Sequence, residues 1–184
     1  DRFVRVGSCC QGGWGKCCVK TKKIATFGML IALAMIFSYI ESILPINLGI
    51  PGIKLGLANI VTIVSLYLIG VRGAVFVSLL RIILVGLTFG NGSAMLFSLS
   101  GGICSLVCMV LVKEIKIFSV YGVSMVGGVM HNVGQILMAM RILDESKILS
   151  YLPVLVISGV LTGMVIGLIA GQVIDRIHPV WEKM

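Results

Sequence analysis

Long apolar segments, separated by short polar breaks, constrain this chain more than any other feature. Only 12% of the 184 residues are charged, and the mean hydropathy is +1.12. A soluble domain of this size carries about twice that charged fraction, because it has to cover its surface with groups that water solvates. Lipid therefore has to be the solvent for most of these side chains, and the sequence predicts an integral membrane protein.

A membrane-spanning helix needs about 20 largely apolar residues. Charges, prolines and glycines divide the chain into such segments, so the predicted fold class is an all-α bundle of about six transmembrane helices. The predicted spans are Ile24–Ile43, Leu55–Val71, Gly73–Gly90, Ser93–Val112, Ile117–Met140 and Ile148–Ile174. Residues 23–176 then form one transmembrane domain. A basic leader at 1–22, for which we expect disorder, precedes it, and a short tail at 177–184 follows.

The basic residues predict the orientation of the bundle. With the N-terminus in the cytoplasm, the inner side receives eleven Lys and Arg residues, six of them in the first 23 positions, and the outer side receives three. Cytoplasmic segments carry the excess of positive charge in membrane proteins, so both termini are predicted to be cytoplasmic. The net charge of +8 is thus explained by topology and anionic lipid rather than by nucleic acid.

The six cysteines do not predict a metal site. Cys9, Cys10, Cys17 and Cys18 lie in the leader at a spacing that matches no common set of metal ligands. Cys104 and Cys108 are interpreted as small apolar packing residues. No metal and no cofactor is predicted.

Polar side chains inside the predicted spans are the candidates for a functional site, because such groups cost several kcal/mol in hydrocarbon unless they are paired. They are Glu41, Asn59, Arg81, His131, Asn132 and Gln135. Two interpretations stay open. In the first, Arg81 and Glu41 form an internal ion pair and the amides satisfy one another. In the second, the set lines a pocket at the outer face, where Arg81 binds phosphate or carboxylate and the amides and His131 bind the rest of a ligand.

Catalytic and energy-converting motifs are missing from the sequence. Asp1, Asp144 and Asp175 are the only aspartates, so no Asp-rich cluster is present to hold Mg²⁺ on a diphosphate. No Gly-rich loop ending in Lys-Ser or Lys-Thr is present to bind a nucleotide. The chain is therefore not expected to be an enzyme on its own.

Small residues recur every four positions in two of the spans. Such stripes let helix backbones approach closely in a membrane, either within the bundle or at a partner interface. The last span carries Gly159, Gly163, Gly167 and Gly171, and the first carries Gly28 and Ala32.

Two motifs carry a resemblance to a known family. The segment Glu41–Pro45, followed by Gly52–Val61 with Lys54 near its start, resembles a bacterial membrane family labelled heptaprenyl diphosphate synthase component I and also Gx transporter. Later segments resemble further landmarks of that family, and the resemblance covers roughly residues 22–175. These landmarks are Arg81–Leu84, Ser98–Gly102 and His131–Gln135.

The resemblance implies two functions. The six-helix layout is similar to that of the substrate-binding S components of energy-coupling factor (ECF) transporters, which work with a transmembrane coupling protein and two ATPase subunits. On this main hypothesis the chain binds a vitamin or a related anionic metabolite in the bacterial cytoplasmic membrane. Lys54 joins the polar set as a substrate-binding residue, and the loop at Pro45–Gly52 gates the pocket. The alternative is the non-catalytic membrane component of heptaprenyl diphosphate synthase, with a soluble synthase subunit as its partner. A third hypothesis is a membrane subunit associated with flavin or quinone electron transfer.

Overall fold

Helices make up almost all of the chain that the structure shows. The computed structural model describes residues 14–43, 56–88, 92–115, 117–143 and 146–182, and no strand occurs among them. The α-helices, with a 3₁₀ turn at Ser146–Tyr151 before the last, are α1 (Trp14–Ile43), α2 (Asn59–Leu68), α3 (Val71–Thr88), α4 (Gly92–Glu114), α5 (Val120–Leu143) and α6 (Leu152–Glu182). The predicted all-α membrane bundle is thus confirmed.

Five of these helices are long and apolar enough to cross a membrane, namely all except α2. Their outer faces carry large apolar side chains, among them Ile24, Leu87 and Ile157, which are 71%, 75% and 62% exposed. An apolar surface of this extent is not stable in water, whereas it is the surface that lipid tails solvate. The structure therefore fits a multi-pass membrane protein.

The first helix is longer than the predicted span. It begins at Trp14 and so runs through part of the leader for which we expected disorder. No proline occurs before Pro45, so nothing in the sequence stops the helix from continuing past the apolar segment. Cys9 and Cys10 of the leader lie outside the described residues.

The helix in the second predicted span, Leu55–Val71, is shorter than the segment that the sequence predicts. The helix found there, α2, has 10 residues, which at 1.5 Å per residue is about half of a bilayer core. Gly56 and Gly70 bound it, and both adopt positive φ angles, 83° and 91°, that end a helix at once. Nearly every residue of α2 is buried inside the bundle. The segment is apolar because it belongs to the core, and hydropathy alone does not separate a core helix from a lipid-facing one.

The C-terminal end of α2 is held by a cation. The Lys113 ammonium, at the end of α4, donates a hydrogen bond of 2.8 Å to the Leu66 carbonyl oxygen. It also lies 4.5 Å from the centre of the Tyr67 ring. Both contacts place positive charge where the last carbonyl groups of α2 point, so the interaction complements the helix dipole.

We expect Lys113→Met to destabilise the bundle by about 1–2 kcal/mol, because the variant keeps the apolar stem and loses a charged hydrogen bond and a cation–π contact. Thermal unfolding in detergent measures the change. Arg176→Met, at an exposed position near the end of α6, removes one positive charge without these contacts and is the matched control. Equal melting temperatures for the two variants would contradict the assignment.

The glycine stripe of α6 packs against α5. A Cβ atom built on Gly163 would lie 2.7 Å from the Met125 Cα atom, and one on Gly159 would lie 2.9 Å from the Val129 Cα atom. The Ser124 hydroxyl of α5 donates to the Gly163 carbonyl at 2.6 Å. Gly167 and Gly171 continue the contact along Tyr121. The sequence leaves open whether this stripe packs within the bundle or forms a partner interface. The structure shows that it packs within the bundle.

The shorter stripe, Gly28 and Ala32, lies on an exposed face of α1. A Cβ atom on Gly28 would have no neighbour within 4 Å. Within the described residues this stripe makes no close helix contact, and its use as a partner interface stays a prediction.

Candidate ligand-binding site

The polar side chains of four helices meet at one end of the bundle. This end is formed by the C-terminal parts of α1, α3 and α5, the start of α4 and the turn that precedes α2. A cavity there is lined by polar groups from Ser38, Glu41, Gly56, Arg81, Ser98 and His131. Three of the predicted site residues, Glu41, Arg81 and His131, therefore share one cavity although they are far apart in sequence.

Glu41 holds the turn that starts α2. Its Oε1 atom accepts a short hydrogen bond from the Gly56 backbone N–H, and the Gly56 carbonyl accepts a bond of 2.8 Å from the Asn59 N–H. The carboxylate therefore lies near the N-terminal end of α2, where the helix dipole favours negative charge.

Arg81 brings a positive charge to the same place. It is only 6% exposed, Glu41 is 9% exposed, and the two charges attract each other. The Arg81 Nε atom has no hydrogen-bond partner among the described residues. Burying a guanidinium is costly unless its charge is balanced and its N–H groups are bonded. The cavity thus contains a partly satisfied cation beside a carboxylate.

His131 and Gln135 form a pair on α5. They lie four residues apart and so share one face of the helix, with the His131 Nε2 atom 3.1 Å from the Gln135 Nε2 atom. The Gln135 Oε1 atom and the Asn59 Nδ2 atom have no partner among the described residues. A Cβ atom on Gly56 would lie 3.0 Å from that Asn59 atom and 3.3 Å from the His131 ring. Asn59 and Gln135 thus form a second polar layer behind the cavity wall.

Asn132, by contrast, is directed toward α6. Its Nδ2 atom donates to the Leu155 carbonyl oxygen at 2.8 Å, so the side chain ties α5 to α6. Lys54, and the proposed gate at Pro45–Gly52, lie outside the described residues.

Glycines bring α4 and α5 close enough to build the site. A Cβ atom on Gly101 would lie 2.8 Å from the His131 carbonyl oxygen, and one on Gly134 would lie 2.9 Å from the Gly101 Cα atom. The Ser100 hydroxyl donates to the Gly134 carbonyl at 2.7 Å. This close contact explains how Ser98 of α4 and His131 of α5 come to line one cavity.

The cavity is small and has one polar and one apolar wall. The cavity volume is about 20 Å³, which is room for about one water molecule. The apolar wall consists of Ile82, Val85, Ala94 and Met95. Met95 lies directly over Gly86, where a Cβ atom would come within 2.7 Å of the sulfur. Methionine is flexible, so a rotation of this side chain is the simplest way to enlarge the cavity.

Sequence reasoning missed several residues of this site. Ser38 lies one helical turn before Glu41, a spacing that places the two on one face. Gly56 and Ser98 lie within segments that carry the family resemblance, but neither was predicted as a ligand. Met95 has no polar group and gives no signal in the sequence. Within the described part of the chain, no three His, Cys, Asp or Glu side chains cluster as metal ligands would.

The Gly56 turn allows a sharp test of the site. We expect Gly70→Ala to cost about 1–2 kcal/mol, because alanine is strained at positive φ and a Cβ atom on Gly70 has no neighbour within 4 Å. Gly56→Ala pays the same strain and also crowds Asn59 and His131, so we expect about 3 kcal/mol. Chemical or thermal unfolding of both variants measures the difference. Equal losses would show that the site has room for the added methyl group.

Comparison with protein families decides the relationship that the motifs suggest. The family model described as heptaprenyl diphosphate synthase component I matches residues 30–173, from the middle of α1 to the second half of α6. The chain belongs to the heptaprenyl diphosphate synthase component I family. Neither the curated proteins nor the solved structures give a match.

All described residues of the cavity fall inside the region that is common to the component I family. The predicted resemblance to this family is thereby confirmed. The similarity of layout to ECF S components has no support from a solved structure and stays a prediction.

Proposed function

We propose that this component I protein is a non-catalytic membrane subunit that binds an anionic, prenyl-type amphiphile for a separate prenyl diphosphate synthase subunit. The observation that carries the proposal is the buried Arg81 guanidinium in a cavity with one apolar wall. A prenyl diphosphate has the complementary chemistry, since it joins an anionic head to an apolar chain. The family description supplies the synthase as the partner.

The roles of the residues follow from their chemistry. A guanidinium donates two parallel hydrogen bonds to phosphate oxygens, so Arg81 would hold the head group. Ile82, Val85 and Met95 would contact the first carbons of the chain. Because the cavity has a volume of about 20 Å³, the ligand enters only after Met95, Glu41 or both have moved. The chain carries no Asp-rich motif for Mg²⁺, so bond formation is assigned to the partner.

Binding of farnesyl diphosphate to the protein in nanodiscs tests the site. We expect Arg81→Lys to weaken binding at least about tenfold, because it keeps the positive charge beside Glu41 but loses the bidentate contact. Arg141→Lys makes the same exchange at an exposed position on α5 and should leave binding unchanged. Equal affinities for the two variants would contradict the role of Arg81.

Reconstitution tests the partnership. A soluble, Asp-rich prenyl diphosphate synthase subunit from the same cell should co-purify with this protein. The activity of that subunit, or the length of its products, should depend on the presence of this chain. A synthase that behaves identically alone and in the mixture would exclude the proposal.

A second candidate is the substrate-binding subunit of an ECF-type transporter. The position of the site favours it, because the distribution of basic residues assigns this end of the bundle to the outer face of the membrane. On this proposal the cavity takes an anionic metabolite from outside, and a transmembrane coupling protein with two ATPase subunits drives its release inside.

Ligand identification separates the two candidates. The purified protein is extracted, and co-purifying small molecules are identified by mass spectrometry. A water-soluble vitamin that also raises the melting temperature would favour transport. A prenylated phosphate would favour the synthase role. Genes for ATPases or for a soluble synthase beside the gene for this chain give the same distinction.

A further inference from the structure

We propose that the Glu41 carboxylate is a built-in occupant of the anion site, which an anionic ligand has to displace in order to bind. The carboxylate would then act as an autoinhibitory group that sets the affinity of the site. The proposed function enters this role only through the ligand that it names. Any phosphate or diphosphate group would compete with the carboxylate for the same hydrogen-bond donors.

Two positively polarised groups of the structure lie close to the Glu41 carboxylate. The first is the N-terminal end of α2, whose preceding Gly56 N–H donates to the Glu41 Oε1 atom. The second is the Arg81 guanidinium, which attracts the same carboxylate and lines the same cavity. A helix N-terminus and a guanidinium are the two elements that proteins combine to bind phosphate groups.

Two buried donors at or beside this site have no acceptor among the described residues. Arg81 is only 6% exposed, yet its Nε atom has no hydrogen-bond partner among the described residues. The Asn59 Nδ2 atom, next to Gly56, likewise has none. Buried donors of this kind are rare in folded proteins, and they are the donors that a ligand with several oxygens would satisfy.

The site has no room for both anions. The free space beside Glu41 and Arg81 is about 20 Å³, which is too small for a phosphate group next to the carboxylate. Two like charges in contact would also repel each other strongly at this low solvent exposure. Occupation by Glu41 and by a ligand anion is therefore mutually exclusive.

Glu41→Gln tests the proposal with inorganic pyrophosphate as the probe. The glutamine keeps an oxygen for the Gly56 N–H and removes the negative charge, so Arg81 is left without its counterion. We expect a lower melting temperature than in the wild type and a rise of about 5 °C on addition of pyrophosphate. Pyrophosphate should bind this variant at least about tenfold more tightly than the wild type.

Matched variants complete the experiment. Asp175→Asn removes a negative charge at an exposed position of α6 and should respond to pyrophosphate as the wild type does. The double variant Glu41→Gln/Arg81→Gln should lose the response. Should Glu41→Gln fail to accumulate, Glu41→Asp withdraws the carboxylate by one methylene and should give a smaller gain of the same sign.

The outcomes are distinguishable. The proposal is overturned if pyrophosphate binds the Glu41 variants no more tightly than it binds the wild type. Tighter pyrophosphate binding without any binding of farnesyl diphosphate supports the displaced carboxylate and rejects the prenyl ligand.

Discussion

Replacing Gly163 with leucine is expected to prevent the bundle from folding. A Cβ atom at this position would lie 2.7 Å from the Met125 Cα atom and 2.9 Å from the Ser124 carbonyl oxygen. Both are backbone atoms, so α5 and α6 have to separate, and the hydrogen bond from the Ser124 hydroxyl is lost as well. We expect a destabilisation of about 4–5 kcal/mol or more, which is comparable to the whole stability of many domains.

Gly28→Leu is the matched control, because it makes the same exchange at a helical glycine that has no neighbour within 4 Å of an added Cβ atom. Size-exclusion chromatography in detergent measures the fraction of folded, monodisperse protein. We expect Gly163→Leu to yield almost none and Gly28→Leu to resemble the wild type. Similar yields for the two variants would mean that the α5–α6 contact is looser than the structure shows.

Arg81→Gln is expected to cost about 3–5 kcal/mol, because it removes a buried positive charge that attracts the buried Glu41 carboxylate. Thermal or denaturant unfolding in detergent measures the loss. Arg141→Gln removes an exposed guanidinium of α5 and is the matched control. We expect the control to change stability by less than about 0.5 kcal/mol.

The double variant Arg81→Gln/Glu41→Gln separates charge balance from packing. If the loss arises from an unbalanced buried charge, removing the second charge should restore most of the stability, to within about 2 kcal/mol of the wild type. A double variant that is as unstable as the sum of the single variants would show that the side chains contribute through packing instead.

The sequence predicted the long helices well because lipid imposes a simple condition on them. Each of five spans has to be largely apolar over about 20 residues, and the structure has a helix in every one of these regions. The short length and the burial of the helix in the second span were not predicted, for a physical reason. A residue such as Ile63 is apolar whether it contacts lipid or, as here, lies 1% exposed in the core.

The polar site was predicted in part. Charged and amide side chains are rare in a membrane bundle, so Glu41, Arg81 and His131 stand out in the sequence, and the structure brings them to one cavity. Their partners could not be predicted from spacing. The direction of Asn132 toward α6 depends on how α5 and α6 are rotated against each other, and the contact between Met95 and Gly86 depends on the separation of α3 and α4.

The short length of α2 has a consequence for how the protein is made. A helix of 10 residues is too short to be recognised as a membrane segment by itself. Its covering neighbours include α3, which is synthesised next, and α6, which is synthesised after α5. A nascent chain that ends before α6 therefore leaves one side of α2 uncovered, and α2 reaches its final position in the bilayer only after α6 has been made.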